Sequence, residues 1–290
     1  MAIECRYSSP SSDHREVPLE NVTQACFGLS YLLAFGLELA VLLRPGKALR
    51  LAGLLAGAAG LSAHTIYLGL HAPNLAAPGA SLLAVAWVLA VFTWYGTLHH
   101  GKRAWGVYGW PFVLVVTAFA RVAASGESSP ALLQAPAWLT AERFWGGFHG
   151  LLVLGAAVGA GVGCLASVMY LVQADRLRRK VAPLGGAKHL SLERLEQMNR
   201  RAVNFAFPLL TVGLLLGVFL LRQGHDVLDH WWNLKVLGTV GLWLVFLVLL
   251  YLRYGSRVSG RRLAGLTIAA FALMLLTLAA AHPFAEGGSR

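Results

Sequence analysis

Charge is scarce in this chain. Of its 290 residues only 13% are Asp, Glu, Lys or Arg, against 57% that are hydrophobic, and a soluble domain has nowhere to put that much apolar surface. Cysteine is scarce as well: Cys5, Cys26 and Cys164 stand far apart, with Cys164 inside an apolar run. That spacing excludes a disulfide framework and a thiolate zinc site. The first 24 residues are rich in Ser, Glu, Pro and Arg and lack the apolar core of a cleaved signal peptide, so they read as a retained polar tail. No repeat of 20 to 50 residues is visible, which removes the usual signature of an inverted-repeat transporter. Acidic residues are outnumbered, 13 against 24 Lys and Arg. The basic excess lies in short loops between apolar runs, where it orients spans in a bilayer and gives no sign of nucleic-acid binding.

What is present in quantity is long apolar sequence. A spanning helix needs about 20 mostly apolar residues, because hydrocarbon offers the backbone no hydrogen-bond partner. Eight segments meet this requirement, at roughly 26–43, 49–70, 81–98, 106–124, 148–173, 203–221, 234–252 and 263–281. The breaks between them carry Pro45-Gly46, Pro73 and Pro78, the stretch Ser125 to Trp145 with Gly126, Pro130 and Pro136, and the basic turn Gly255 to Gly260. The expected fold is all-α and polytopic: a polar tail over 1–24, one transmembrane domain over 25–284 with a long loop at 174–202, and a C-terminal tail over 285–290.

Seventeen of the 24 Lys and Arg fall in the loops on one side of these spans, which makes that side cytoplasmic and both termini extracytoplasmic, in a cell inner membrane. Within the long loop, Ser191 reads as an N-cap, and Leu192, Leu195 and Met198 share a face, so a short interfacial helix is expected there. The run Arg176 to Lys180 reads as an anchor for the fifth span. Small residues crowd the second and fifth spans, in Gly53 to Gly57 and Gly155 to Gly163, where they allow close helix approach.

Seven of the ten histidines fall at or near the outer face: His14, His64, His71, His149, His225, His230 and His282. A neutral imidazole offers iron a lone pair, and histidines on separate helices at similar depth suit one heme. Each can also simply meet headgroups and water. His64 and His149 stand out, because an ionisable group inside a span is costly and calls for a partner. The outer loop from Arg222 to Lys235 adds His225, His230, Trp231 and Trp232; paired tryptophans anchor interfaces, and they also offer a flat surface to a porphyrin. Arg121, Arg222 and Lys235 stand near enough to this face to neutralise propionates. Glu38, in the first span, reads as pairing with a loop cation or a helix end.

Four stretches carry a family likeness. These are His64-Thr65; Phe148-His149-Gly150-Leu151 running on to the basic Arg176 to Lys180; Leu192-Glu-Arg-Leu-Glu followed by Phe207-Pro-Leu-Leu-Thr-Val-Gly213; and Gly260-Arg-Arg262 before the last span. Together they resemble the heme-handling cytochrome c assembly family of eight-helix membrane proteins, the CcsA/HemX type, over residues 30 to 284. The chain departs from the pattern in its tryptophan-rich loop, of which Trp232-Asn233-Leu234-Lys235 remains, and it has Tyr251 and His282 where the family has histidine and asparagine. The resemblance implies heme b as cofactor and His64 and His149 as iron ligands, with His225, His230, His282, Trp231, Trp232 and Arg121 around them. It further implies delivery of heme at the outer face, with an apocytochrome c and a second membrane subunit as partners and no enzymatic activity of the chain alone. Two other readings compete with this one. They are a HemX-like regulator of heme biosynthesis and a b-type electron-transfer cytochrome.

Overall fold

The structure, a computed structural model, describes residues 24–71, 78–99, 105–124, 141–180, 190–223, 234–255 and 258–279. These residues form eight helices: α1 (Gln24–Leu43), α2 (Lys47–His71), α3 (Pro78–His99), α4 (Trp105–Ala124), α5 (Ala141–Arg178), α6 (Leu192–Gln223), α7 (Leu234–Gly255) and α8 (Gly260–Ala279). All eight are long and apolar enough to cross a membrane. Pro111 in α4 and Pro208 in α6 lie inside their helices, as spans tolerate when neighbouring groups meet the freed carbonyl.

Successive helices run antiparallel. Hairpin α1–α2 packs on α3 and α4, and α5 packs on α6 and α8, with α7 beside α8 and α6. Thus α1 begins and α8 ends at the same end of the bundle, called here the terminal end. The core is continuous from Phe27 and Trp110 through Leu89 and Ala160 to Phe246 and Met274. Small residues set the spacing, since lipid gives no hydrophobic drive for helix association. A Cβ on Gly159 would lie 3.0 Å from that of Ala206, and one on Gly57 would meet the Trp110 ring at 2.7 Å. At α3–α4 the fit is tighter still, for a Cβ on Gly96 would overlap the Trp105 indole.

Two helices differ from the spans read in the sequence. Helix α5 starts at Ala141, so His149 lies two turns inside it where the sequence suggested its first residue. The segment around 191–198 is not a separate interfacial helix: it is the first part of α6, which runs unbroken for 32 residues. Ser191 does cap it, its Oγ accepting from the Arg194 amide at 3.3 Å. The first turns of the helix pack into the bundle because Leu195 is buried among Trp105, Leu165 and Met169. The polar stretch at Asn199 does not break it because Asn199 is satisfied by neighbouring helices. At about 1.5 Å per residue α5 and α6 measure roughly 57 and 48 Å, well beyond a hydrocarbon core of about 30 Å. Both therefore project past the bilayer. Leu195→Ala is expected to destabilise the protein by about 2 to 5 kcal/mol, read as a lower unfolding temperature in detergent; a surface-lying segment would show almost no change.

Candidate functional site

His64 is fully buried in α2. Its ring stacks face to face on Phe27 of α1, with centroids 4.1 Å apart and planes 2° apart. Its Nδ1 shares a hydrogen bond of 3.2 Å with the Tyr31 hydroxyl. Tyr31 in turn stacks on Trp110 of α4 at 5.1 Å, and a Cβ on Gly60 would strike the Tyr31 ring at 2.7 Å, so that glycine makes room for it. The Nε2 of His64 is buried with no hydrogen-bond partner. An unmet buried polar atom costs about 1 to 3 kcal/mol. Tyr31 decides the ring's tautomer: when its oxygen accepts from Nδ1–H, the lone pair of the imidazole sits on Nε2. Next along α2, Thr65 donates to the Leu61 carbonyl and accepts from the Trp87 indole at 2.9 Å, which ties α2 to α3.

His149 is half-buried in α5. Its Nδ1–H donates to the Gly213 carbonyl of α6 at 2.8 Å. This bond fixes the tautomer, so in the neutral ring Nε2 carries the lone pair. A Cβ on Gly217, one turn further along α6, would lie 2.9 Å from His149 Cε1. Gly213 and Gly217 thus form a notch in α6 that the imidazole fills. Phe144, Trp145 and Phe148 lie beside it on α5 with exposed rings, Phe144 parallel to Phe148 at 6.5 Å.

Both histidines stand at the terminal end, about 10 to 12 Å in from the ends of their helices. His64 is held by α1, and His149 by α6. Arg121, in the last turn of α4, is exposed at the same end. His14, His225, His230, Trp231, Trp232 and His282 lie outside the described residues, as does the side chain of His71. Among the described residues no group of three or more His, Cys, Asp or Glu side chains gathers to hold a metal ion. Each imidazole has its Nδ1 engaged, as metal-bound histidines do, and the Nε2 of His64 is a buried nitrogen with no hydrogen-bond partner.

Reading the sequence missed Phe27, Tyr31 and Trp110 around His64, and the notch opposite His149. A signal for the notch was present, since Gly213 and Gly217 are spaced four apart in α6. Phe27 and Tyr31 gave none, because aromatics in an apolar helix face a lipid tail as readily as a histidine.

Glu38, in α1, comes against Gly106 of α4, where a Cβ would lie 2.8 Å from the carboxyl carbon. Its carboxylate is thereby seated between α1 and α4 near the end opposite the termini.

Residues 76–280 match the family model for cytochrome C assembly protein. The match spans α3 to α8, including His149 with its notch, and leaves α1 and α2 with His64 outside it. No curated protein and no solved structure matches the chain. Eight apolar helices and a family match over more than two-thirds of the length lead to one conclusion: this is a multi-pass membrane protein that belongs to the cytochrome c assembly protein family, with a role in cytochrome c biogenesis.

Proposed function

We propose that the protein binds heme b at the extracytoplasmic end of its bundle and hands it to an apocytochrome c. The observation that carries this reading is His149: an imidazole anchored through Nδ1 on Gly213 and seated against Gly217, in a member of the cytochrome c assembly family. Heme would supply the iron centre that becomes part of the cytochrome. The chain's own residues do the holding. His149, with its ring direction set by the α6 notch, would be the primary ligand to the iron, and His64, whose Nε2 has no protein partner, would be the second. By sequence position His225, His230 and His282 would supply further imidazoles and Trp231 and Trp232 a stacking surface, while Arg121 would offer a cation for a propionate. A second membrane subunit would bring the apocytochrome, as the family resemblance implies.

Orientation rests on charge. The connections opposite the termini, with the helix ends that flank them, account for 17 of the 24 Lys and Arg, so that end faces the cytoplasm and the histidine-bearing end faces outward, in a cell inner membrane. A second reading, a HemX-like regulator acting on heme synthesis from the cytoplasmic side, draws on the reduced tryptophan motif at 232–235. A b-type electron carrier is less well supported. Among the described residues the imidazole of the opposite end is His99, which is exposed, bonded to the Tyr95 carbonyl of its own helix and stacked on the Tyr95 ring.

Protein purified in detergent from cells supplied with heme is expected to show a Soret band and about one heme per chain. A colourless protein under those conditions would favour the regulator. Gly217→Ala pushes a methyl into the space of His149 Cε1. Displacing an anchored ligand in this way is expected to weaken heme retention by roughly ten- to a hundredfold, measured as transfer to apomyoglobin, while the protein still elutes as a monodisperse species.

A further inference from the structure

Helix α1 is held along one side. Phe27, Tyr31 and Ala34 form its buried face, packed on α2 and α4, while Leu29, Leu32 and Leu33 are more than half exposed. An outward shift of α1 therefore pushes into lipid and displaces no described helix.

The two ends of α1 are fixed to different degrees. At the inner end, opposite the termini, the short Pro45-Gly46 turn joins it to α2. Just above that turn a Cβ on Gly53 would lie 3.5 Å from that of Leu37, and Glu38 sits against Gly106 of α4. At the terminal end the contacts are ring on ring, Phe27 on His64 and Tyr31 on Trp110. Hydrogen bonds there run from Gln24 Nε2 to the Tyr67 hydroxyl, at 3.1 Å, and between Tyr31 and His64.

His64 gives this asymmetry a consequence. Its ring is fully buried, and the groups that stack on it and bond to it, Phe27 and Tyr31, both belong to α1. Nδ1 is bonded, whereas Nε2 is enclosed with no hydrogen-bond partner. An enclosed and unmet nitrogen disfavours the closed packing. A ligand can reach Nε2 only after a helix has moved, and α1 is the helix that covers the ring.

We propose that α1 is a movable cover: its terminal end swings outward about the Pro45-Gly46 turn, parting Phe27 and Tyr31 from His64 and opening the imidazole to a ligand. The closed and open forms are two states of one hinge, and a ligand that binds the open form shifts the balance toward it. The movement itself does not depend on heme; that the incoming ligand is a heme iron rests on the function proposed above.

Spin labels attached through Ala25→Cys in the first turn of α1 and Val122→Cys in the last turn of α4, both exposed positions, report the separation of the two helices at the terminal end. Cys5, Cys26 and Cys164 are replaced by alanine in this full-length chain, and the distances are read by pulsed electron paramagnetic resonance in detergent. Heme-free protein is expected to show mainly one separation. Heme loading, followed by the Soret band, is expected to add a population longer by roughly 5 Å, the radius of a helix with its side chains. Tyr31→Phe removes the hydrogen bond of the closed form and should raise the open share without heme by roughly three- to tenfold. His64→Leu removes the group that the open form presents, so the short separation should persist with heme present. One unchanged separation in both the heme-loaded protein and Tyr31→Phe would overturn the cover, as would a long population undiminished in His64→Leu. A Soret band that never forms counts against the heme reading, and Tyr31→Phe then decides the movement alone.

Discussion

His149→Gly is expected to remove the heme absorption of the purified protein, with added imidazole restoring it. The substitution deletes the ring whose Nδ1–H is anchored on the Gly213 carbonyl at 2.8 Å, yet it leaves the notch formed by Gly213 and Gly217, which free imidazole can enter. Second-shell anchors alone change metal affinity by about 10- to 100-fold, so loss of the ligand itself should cost about a hundredfold or more in heme affinity. His64→Leu is expected to act differently. His64 is enclosed by Phe27 and Tyr31, so its removal should shift the position of the Soret band while heme is retained. A Soret band of unchanged position and intensity in His149→Gly would sink the assignment, and imidazole rescue separates ligand loss from misfolding.

The second large effect concerns stability. Asn199→Leu is expected to lower the stability of the folded bundle by about 2 to 3 kcal/mol, the range for losing a hydrogen bond to a charged group. One side chain here joins four helices, through Gly163 and Ser167 of α5, Thr267 of α8 and Arg253 of α7. Replacing it would leave the guanidinium with no bond to Nη2 as well as none to Nη1. The Ser167 and Thr267 oxygens would lose a donor at the same time. Individual hydrogen bonds between spans average only about 0.6 kcal/mol, so the expected loss comes mainly from the stranded charge. Thermal unfolding in detergent measures it, and the double variant Asn199→Leu, Arg253→Met should recover much of the loss. A single variant within about 1 kcal/mol of wild type would mean that the guanidinium reaches water by another route.

Much of the architecture was legible because bilayer physics is a one-dimensional constraint. Eight apolar runs of sufficient length could only be helices, and their number and order follow from counting. Boundaries were less legible where a span continues past the bilayer. Over Ser191 to Met198 the shared face of Leu192, Leu195 and Met198 suggested a separate surface helix, and the sequence cannot show that Leu195 finds a buried place beside Trp105, Leu165 and Met169. The Ser191 cap was visible because capping is local, a matter of residues three apart.

The sequence by itself determined that this is a membrane-spanning bundle, the order of its helices and the presence of imidazoles toward one end. These features depend on hydropathy and spacing along the chain. Tertiary structure alone decided what each imidazole touches: Phe27 and Tyr31 reach His64 across 37 and 33 positions of sequence, and Gly213 reaches His149 across 64. It alone also placed Asn199 and Arg253 in contact across 54. The physical reason is that in lipid, where apolar faces gain nothing by burial against each other, close fit and hydrogen bonding choose the helix partners, and both are properties of facing surfaces that no single segment contains.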